Sequence, residues 1–179
     1  MPKYIRRKLD GATYFFTVVT QDRRPWFSSG RNRRILGSCF REARRRMPYD
    51  VDAVVVLPDH LHILMRPSEV VNYSALWRLI KTLFTQRVQG TLPQGDEALQ
   101  GRRAGERGIW QRRFYEHTIR DEEDWGRHMD YIHFNPVKHG WVRLPREWAW
   151  SSVHRYIRTG ELEPDWPGRS KLALPSVRE

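Results

Sequence analysis

Four stretches of the chain have the apolar, β-branched and aromatic composition that is typical of buried strands. In chain order they are residues 13–20, 51–57, 60–65 and a shorter segment within 109–119. A Pro58-Asp59 turn separates the second stretch from the third. These two stretches are therefore predicted to pair as a hairpin.

Three further stretches repeat apolar residues at helical spacing. They are residues 31–47, about 72–88 and 121 to about 134. The acidic run 121–124 suits a helix N-terminus, and Asn135-Pro136 is predicted to end that helix, because proline steers the residue before it away from helical geometry. The order β-α-β-β-α-β, followed by another helix, predicts an α+β fold of the ferredoxin-like split βαβ type: a four-stranded antiparallel sheet with two helices on one face.

The pattern predicts one domain rather than two. Residues 1–140 are predicted to form the domain that carries the chemistry, with 90–108 as a loop rich in glycine and charge. Residues 141–179, which hold four tryptophans, are predicted to form a C-terminal extension packed on that domain.

Charge is the strongest compositional signal. The 179 residues carry a formal net charge of +11, and 27 of the 32 basic residues are arginine. Neutralising phosphates releases condensed counterions, so this surplus predicts a polyanionic partner, which arginine can hold with two hydrogen bonds. The best candidates for DNA contacts are Arg6, Arg7, Arg44, Arg45, Arg46, Arg112 and Arg113. Beside the last two, Trp110, Phe114 and Tyr115 either stack on unpaired bases or pack into the core.

Cys39 is the only cysteine, which excludes an intrachain disulfide and a cysteine-cluster zinc site. The N-terminus lacks the apolar run of a secretory signal, and no apolar stretch is long enough to cross a bilayer. These features predict a cytoplasmic protein.

His60 and His62 are two residues apart on the third predicted strand. Alternate strand residues face the same side, so both imidazoles project from one face, while Leu61 points the other way into the core. Two nitrogens at this spacing can bind one divalent ion. On its own the spacing is equally compatible with two ordinary strand histidines.

Tyr131 and Asn135 are i and i+4 on the third predicted helix and therefore share a face. A phenol and an amide on one face can be directed at a common site. The alternative is that Tyr131 packs its ring and Asn135 caps the turn.

Longer strings around these residues carry a family resemblance. VVVLPDHLHILMRP resembles the HUH motif (histidine, hydrophobic, histidine) of endonucleases that act on single-stranded DNA. With YFFTV, IWQRRFYEHTIRDEEDW and DYIHFNPVKHGWV in the same order, over roughly residues 4–158, the chain resembles the REP-associated tyrosine transposases. These are relatives of small insertion-sequence transposases that use a single tyrosine.

The resemblance implies an enzyme that nicks and joins single-stranded DNA at hairpins of repetitive extragenic palindromes. It implies that Tyr131 is the nucleophile, through a 5′-phosphotyrosine intermediate, and that His60, His62 and Asn135 bind Mg²⁺ or Mn²⁺. Insertion-sequence relatives usually have glutamine where this chain has Asn135, which offers the same carbonyl oxygen on a shorter arm. The palindrome-associated branch favours a monomer, although a dimer is possible.

Two other functions are compatible with the sequence, and a third fits it less well. The first is a hairpin-binding protein of the same fold that has lost cleavage, and the second is a phosphoesterase that uses the histidine pair to activate water. The third, an RNA-binding module, lacks the aromatic strings that such domains carry. No residue can be assigned as the base for the tyrosine; His133 and His139 are candidates in the same segment.

Overall fold

A computed structural model describes residues 11–89 and 108–167 of the chain and confirms the predicted α+β fold. The elements are β1 (Tyr14–Val19), α1 (Gly30–Arg46), β2 (Tyr49–Val56), β3 (His60–Pro67), α2 (Tyr73–Gln89), β4 (Tyr115–Thr118), α3 (Glu122–Lys138) and α4 (Val153–Thr159). Most of the predicted loop, residues 90–107, lies outside the described residues. None of the helices in the described part of the chain is long and apolar enough to cross a membrane.

The sheet has the strand order β2-β3-β1-β4, and every neighbouring pair is antiparallel. This is the order of the split βαβ pattern, because α1 connects β1 to β2 across β3, and α2 connects β3 to β4 across β1. The register places Val19 opposite His60 and Thr17 opposite His62. The two histidines therefore lie on a central strand.

The two faces of the sheet have separate hydrophobic cores. α1 and α2 cover one face, where Leu61 and Ile63 of β3 are buried. α3 covers the other face, where Phe15 and Leu64 are buried. Since successive strand residues point to opposite faces, the histidine pair of β3 is directed toward α3.

α3 continues through Pro136 to Lys138, so the prediction that Asn135-Pro136 ends this helix is wrong. Proline lacks an amide hydrogen and removes one bond to the carbonyl four residues back. Here the loss falls in the last turn, which His139 N–H closes by donating to the Asn135 carbonyl at 3.0 Å. Gly140, in the left-handed region at φ +71°, follows the helix. Asn135 is therefore a helical residue with its side chain on the face of Tyr131.

The free edge of β2 is covered by residues 148–156. Val56 N–H donates to the Trp150 carbonyl at 2.9 Å, and Ser152 N–H donates to the Val54 carbonyl at 2.8 Å. The Ser152 hydroxyl accepts from Val54 N–H at 2.8 Å. An uncovered strand edge is a template for pairing with another chain, so these bonds remove one such template.

Candidate active site

His60 and His62 lie at the start of β3, on the face that α3 covers. Their ring centroids are 4.8 Å apart and their planes are nearly perpendicular, at 82°. Both side chains are buried. Imidazoles this close together offer two nitrogen ligands to a single ion.

One nitrogen of each imidazole is held by a neighbouring side chain. Nδ1 of His60 lies 2.6 Å from Asp59 Oδ1, and Nδ1 of His62 lies 2.8 Å from Thr17 Oγ1. Nε2 of each ring is buried and has no hydrogen-bond partner within the described part of the chain. Metal-binding histidines have this arrangement, in which a second group orients the ring and the other nitrogen binds the ion.

α3 brings Tyr131 and Asn135 toward this pair. The ring centroid of Tyr131 lies 5.1 Å from that of His62, and Phe15 packs against both rings. Asn135 is fully buried one turn further along, and neither polar atom of its amide has a hydrogen-bond partner among the described residues. The side chain of Asn135 therefore makes no capping bond there.

These unpartnered atoms fit a divalent ion. A buried polar group left without a partner costs about 1–3 kcal/mol, and native proteins contain few of them. Here Nε2 of His60, Nε2 of His62 and the amide of Asn135 are all of this kind, on two elements that meet at the Tyr131 ring. Two imidazole nitrogens and one amide oxygen can together bind a divalent ion and leave coordination positions open.

The electrostatics of the site favour the uncharged form of His62. Burial holds the pKa of His62 well below its usual range, and the nearby His60 and His139 act in the same direction. The His62 imidazole is therefore neutral near pH 7, which is the form that binds metal. Burial alone would raise the pKa of Asp59, but hydrogen bonds from His60 and Arg23 lower it to about 2.

A second group of possible metal ligands lies nearby, and the sequence analysis missed it. Ligand atoms of His117, Asp124 and His128 all lie within 4.8 Å of one another. The Phe15 ring contacts both His128 and His62, at centroid distances of 4.8 Å and 5.6 Å. The i and i+4 spacing of Asp124 and His128 on α3 could have indicated two of these ligands, whereas only folding brings His117 to them.

This triad fits an ion less well than the histidine pair does. Oδ2 of Asp124 already accepts from Nε2 of His117 at 2.8 Å and from Nε of Arg120 at 3.1 Å. Although burial opposes ionisation, these bonds hold the pKa of Asp124 well below its usual range. The guanidinium supplies the positive charge that an ion would otherwise bring.

The seven arginines predicted to contact DNA differ in their surroundings. Arg6 and Arg7 lie outside the described residues. Five are exposed: Arg44, Arg45, Arg46, Arg112 and Arg113. Arg44 and Arg46 form exposed ion pairs with acidic neighbours, and such pairs contribute little to stability. Their side chains remain candidates for phosphate contacts, as do the other three.

The aromatic residues beside the last two arginines are half-buried. The ring of Trp110 lies 5.6 Å from that of Phe27 and 5.2 Å from that of Phe84. Phe114 and Tyr115 each contact a core phenylalanine. Much of the surface of these three aromatic residues is therefore packed against the core, which favours core packing over base stacking.

The two candidate bases lie in different places. His133 is buried, with Nε2 2.9 Å from the Ser152 hydroxyl, and burial lowers its pKa to about 3. The ring of His139 is exposed and its centroid lies 5.7 Å from that of His60. Of the two, His139 is the residue beside the histidine pair.

The chain is strongly basic, and the histidine pair of its ferredoxin-like sheet lies against a helix that carries a tyrosine. These features are typical of DNA-processing transposases. Residues 8–135 match the protein family described as "Transposase IS200 like". The chain is 36% identical over 169 residues to the REP-associated tyrosine transposase of Escherichia coli (strain K12), covering 94% of this chain and 92% of that one. It belongs to this transposase family and, within it, to the REP-associated tyrosine transposases.

Two further relatives support this assignment. A Haemophilus influenzae protein that provisionally carries the same name is 38% identical over 176 residues, which covers 97% of this chain and 98% of that one. A solved structure of a REP-associated tyrosine transposase bound to a REP hairpin superposes with a TM-score of 0.79 at 33% identity. The match covers 100% of this chain and 99% of that chain.

Proposed function

We propose that this transposase nicks and joins single-stranded DNA beside a palindromic hairpin through a 5′-phosphotyrosine bond. In this proposal Tyr131 is the nucleophile, and His60, His62 and Asn135 bind Mg²⁺ or Mn²⁺. The observation that supports it most is the set of buried atoms without partners on β3 and α3, next to the Tyr131 ring.

The three ligands would hold the ion in a fixed place relative to the phenol. An ion bound there would polarise a non-bridging oxygen of the scissile phosphate. Asp59 and Thr17 would fix the two imidazole rings, so that both Nε2 atoms stay directed at the same point. This preorganisation leaves little rearrangement for the reaction itself.

The reaction begins when the Tyr131 oxygen attacks phosphorus. The bond from phosphorus to the 3′ oxygen breaks, and the phenol proton ends on the departing 3′-hydroxyl. A second 3′-hydroxyl can reverse the step and join strands, because the phosphodiester is retained in the covalent intermediate. Lys138 Nζ lies 5.0 Å from the centroid of the Tyr131 ring and places a positive charge beside the proposed nucleophile.

The relatives and the charge of the chain support the proposed DNA substrate. The solved structural neighbour is bound to a REP hairpin, and the present chain has a net charge of +11 to bind such a polyanion. Tyr131 lies beside the histidine pair of its own chain, so one copy holds every proposed ligand and the nucleophile. We therefore include a monomer as the functional unit in the proposal. Because of the positive charge, the proposal also includes association with the nucleoid.

An adduct assay tests the nucleophile. End-labelled hairpin DNA with single-stranded flanks is incubated with the protein and Mn²⁺, and labelled protein is sought on a denaturing gel. The parent should form the adduct and Tyr131→Phe should form none. Tyr115→Phe is the matched control, because Tyr115 also contacts Phe15 but lies on β4.

The other functions give different gels. Cleavage without a shifted protein band would indicate a phosphoesterase that activates water. Hairpin binding with neither cleavage nor adduct, at any divalent ion tried, would indicate a DNA-binding protein without activity. An adduct of equal yield in Tyr131→Phe would show that another residue is the nucleophile.

A further inference from the structure

An exposed tryptophan lies just beyond the proposed active site. Trp141 follows Gly140 at the end of α3 and is 56% exposed; with Val70 it is one of two large hydrophobic residues exposed to this degree among those described. Its ring centroid lies 6.2 Å from that of Trp148, with 46° between the planes. A single exposed apolar side chain is ordinary, but an exposed indole that adjoins a second indole forms part of a patch, and exposed apolar patches mark interaction sites.

A fixed arginine extends this aromatic surface. The guanidinium of Arg33, on α1, lies 5.7 Å from the centroid of Trp148 and 5.3 Å from that of Trp150. Its Nη2 donates to the Ser28 carbonyl at 3.0 Å, and its Nε donates to the Phe27 carbonyl. These bonds hold a positive charge against two indole rings. We name Trp141, Trp148, Trp150 and Arg33 the tryptophan surface.

The tryptophan surface borders the edge strand β2, which pairs with the strand that carries the histidine pair. Nε1 of Trp148 donates to the Val56 carbonyl at 3.0 Å, and Val56 is paired with Leu61, the residue between the two histidines. At the other end of the surface, Arg33 and Trp150 line a cavity of about 310 Å³ between α1 and β2. The surface therefore leads away from the proposed site around the edge of the sheet.

We infer that the tryptophan surface stacks the unpaired nucleotides that flank the hairpin, next to the scissile phosphate. Every nucleobase has a π face that can stack on indole or guanidinium, and the adjoining phosphates are attracted by the arginine. A fixed cation between indoles matches a polyanion with aromatic bases better than it matches an apolar peptide. This inference rests on the proposed function, because it takes the single strand to pass the histidine pair.

Binding in EDTA, without divalent ions and therefore without cleavage, tests the inference. The probes are one hairpin with single-stranded flanks on both sides of the stem and the same hairpin without them. Trp141→Ala should weaken binding of the flanked hairpin by about 5- to 150-fold, the range expected for losing one base-aromatic stack. Binding of the hairpin without flanks should not change, and Trp141→Phe should retain most of the affinity.

The fluorescent adenine analogue 2-aminopurine, placed in the flanks, reports stacking directly because stacking quenches its emission. The parent should quench one flank position strongly, and Trp141→Ala should lose that quenching. Val70→Ala is the matched control, since it removes the other large exposed apolar side chain, 90% exposed, beyond the opposite end of β3.

Several results would overturn the inference. Equal affinity of Trp141→Ala and parent for the flanked probe would do so, as would equal weakening on both probes, which would place Trp141 against the stem or in the fold. Failure of the proposed chemistry is distinguishable: a protein without an adduct whose flank binding still depends on Trp141 retains the surface and lacks only the reaction. A protein that forms the adduct but is indifferent to Trp141→Ala has the reaction without this surface.

Discussion

Asn135 combines an energetic cost with a proposed role. Its amide is fully buried and has no hydrogen-bond partner in the described part of the chain, which opposes folding when no ion is present. Thr17 has the complementary role, since its hydroxyl holds Nδ1 of His62 and thereby leaves Nε2 for a ligand. The proposed ion would account for both arrangements.

Replacing Asn135 with leucine should separate stability from metal binding. Asn135→Leu removes the unpartnered amide, so we expect the metal-free protein to become more stable by about 1–3 kcal/mol in urea unfolding. Mn²⁺ should raise the melting temperature of the parent and leave that of the variant unchanged. Asn32→Leu is the control, because that amide donates to the Trp26 carbonyl at 2.8 Å and its loss should destabilise. Equal destabilisation by both changes would contradict the ligand role.

Thr17→Val keeps the volume of the side chain and removes the hydroxyl that orients His62. The loss of such an orienting partner typically reduces metal affinity about 10- to 100-fold, so titration calorimetry with Mn²⁺ should show a change of that size. Thr85→Val, at a buried threonine of α2, is the control and should leave the affinity unaltered. An unchanged affinity in Thr17→Val would mean that Thr17 does not orient the ligand.

At the scale of secondary-structure elements, the Tyr49 hydroxyl forms a hydrogen bond between β2 and α1. Tyr49, at the start of β2, is buried and donates to the Phe40 carbonyl of α1 at 2.8 Å. Burial raises the pKa of Tyr49 well above its usual range. As the pH rises above about 10, the unfolded chain loses this proton first. The contribution of Tyr49 is therefore complete below pH 10 and declines above it.

Tyr49→Phe should make this dependence measurable. At pH 8 the variant should be less stable than the parent by about 1 kcal/mol, the value of one hydrogen bond. At pH 11 the difference should shrink or reverse by about 1.4 kcal/mol, because only the parent has this proton to lose on unfolding. Urea unfolding at both pH values provides the measurement. A difference that is the same at pH 8 and pH 11 would show that the phenol of Tyr49 ionises alike in both states.

At the scale of the whole molecule, the proposed chemistry and the basic helix α1 lie on opposite faces of the sheet, and the tryptophan surface connects them around the β2 edge. The histidine pair, α3 and the tryptophan surface adjoin, while residues 148–156 cover the edge of β2. Much of the positive charge lies on the exposed side of α1. Such a protein should bind hairpin DNA with an affinity that falls steeply with salt.

Two neighbouring arginines on α1 test this view of the charge. Arg45→Ala should weaken hairpin binding and lower the slope of log K against log salt by about 1, as expected for one lost phosphate contact. Arg46→Ala should have a smaller effect, because Arg46 is paired with Glu42 in the free protein. Fluorescence anisotropy at several KCl concentrations measures both slopes. A larger effect of Arg46→Ala than of Arg45→Ala would show that these ion pairs open on binding.

Local patterns predicted the elements well, and they failed where the outcome depended on contacts between elements. The β-branched runs predicted all four sheet strands, and the helical spacing predicted α1, α2 and α3. Burial of one face of a strand or helix produces a periodic pattern of apolar residues that can be recognised in the sequence. The prediction that Asn135-Pro136 ends α3 was wrong, because the penalty for proline is small in the last turn of a helix. The triad around Asp124 and the position of Arg33 against two tryptophans join segments far apart in the chain.

The sequence by itself determined that His60 and His62 share one face of a strand and that Tyr131 and Asn135 share one face of a helix. Both relations are set by backbone geometry over two and four residues. Only the tertiary structure decided that α3 covers the face to which the histidines point, and that Thr17 and Asp59 hold their Nδ1 atoms. The reason is that side-chain packing across the sheet, rather than any local preference, selects which faces meet.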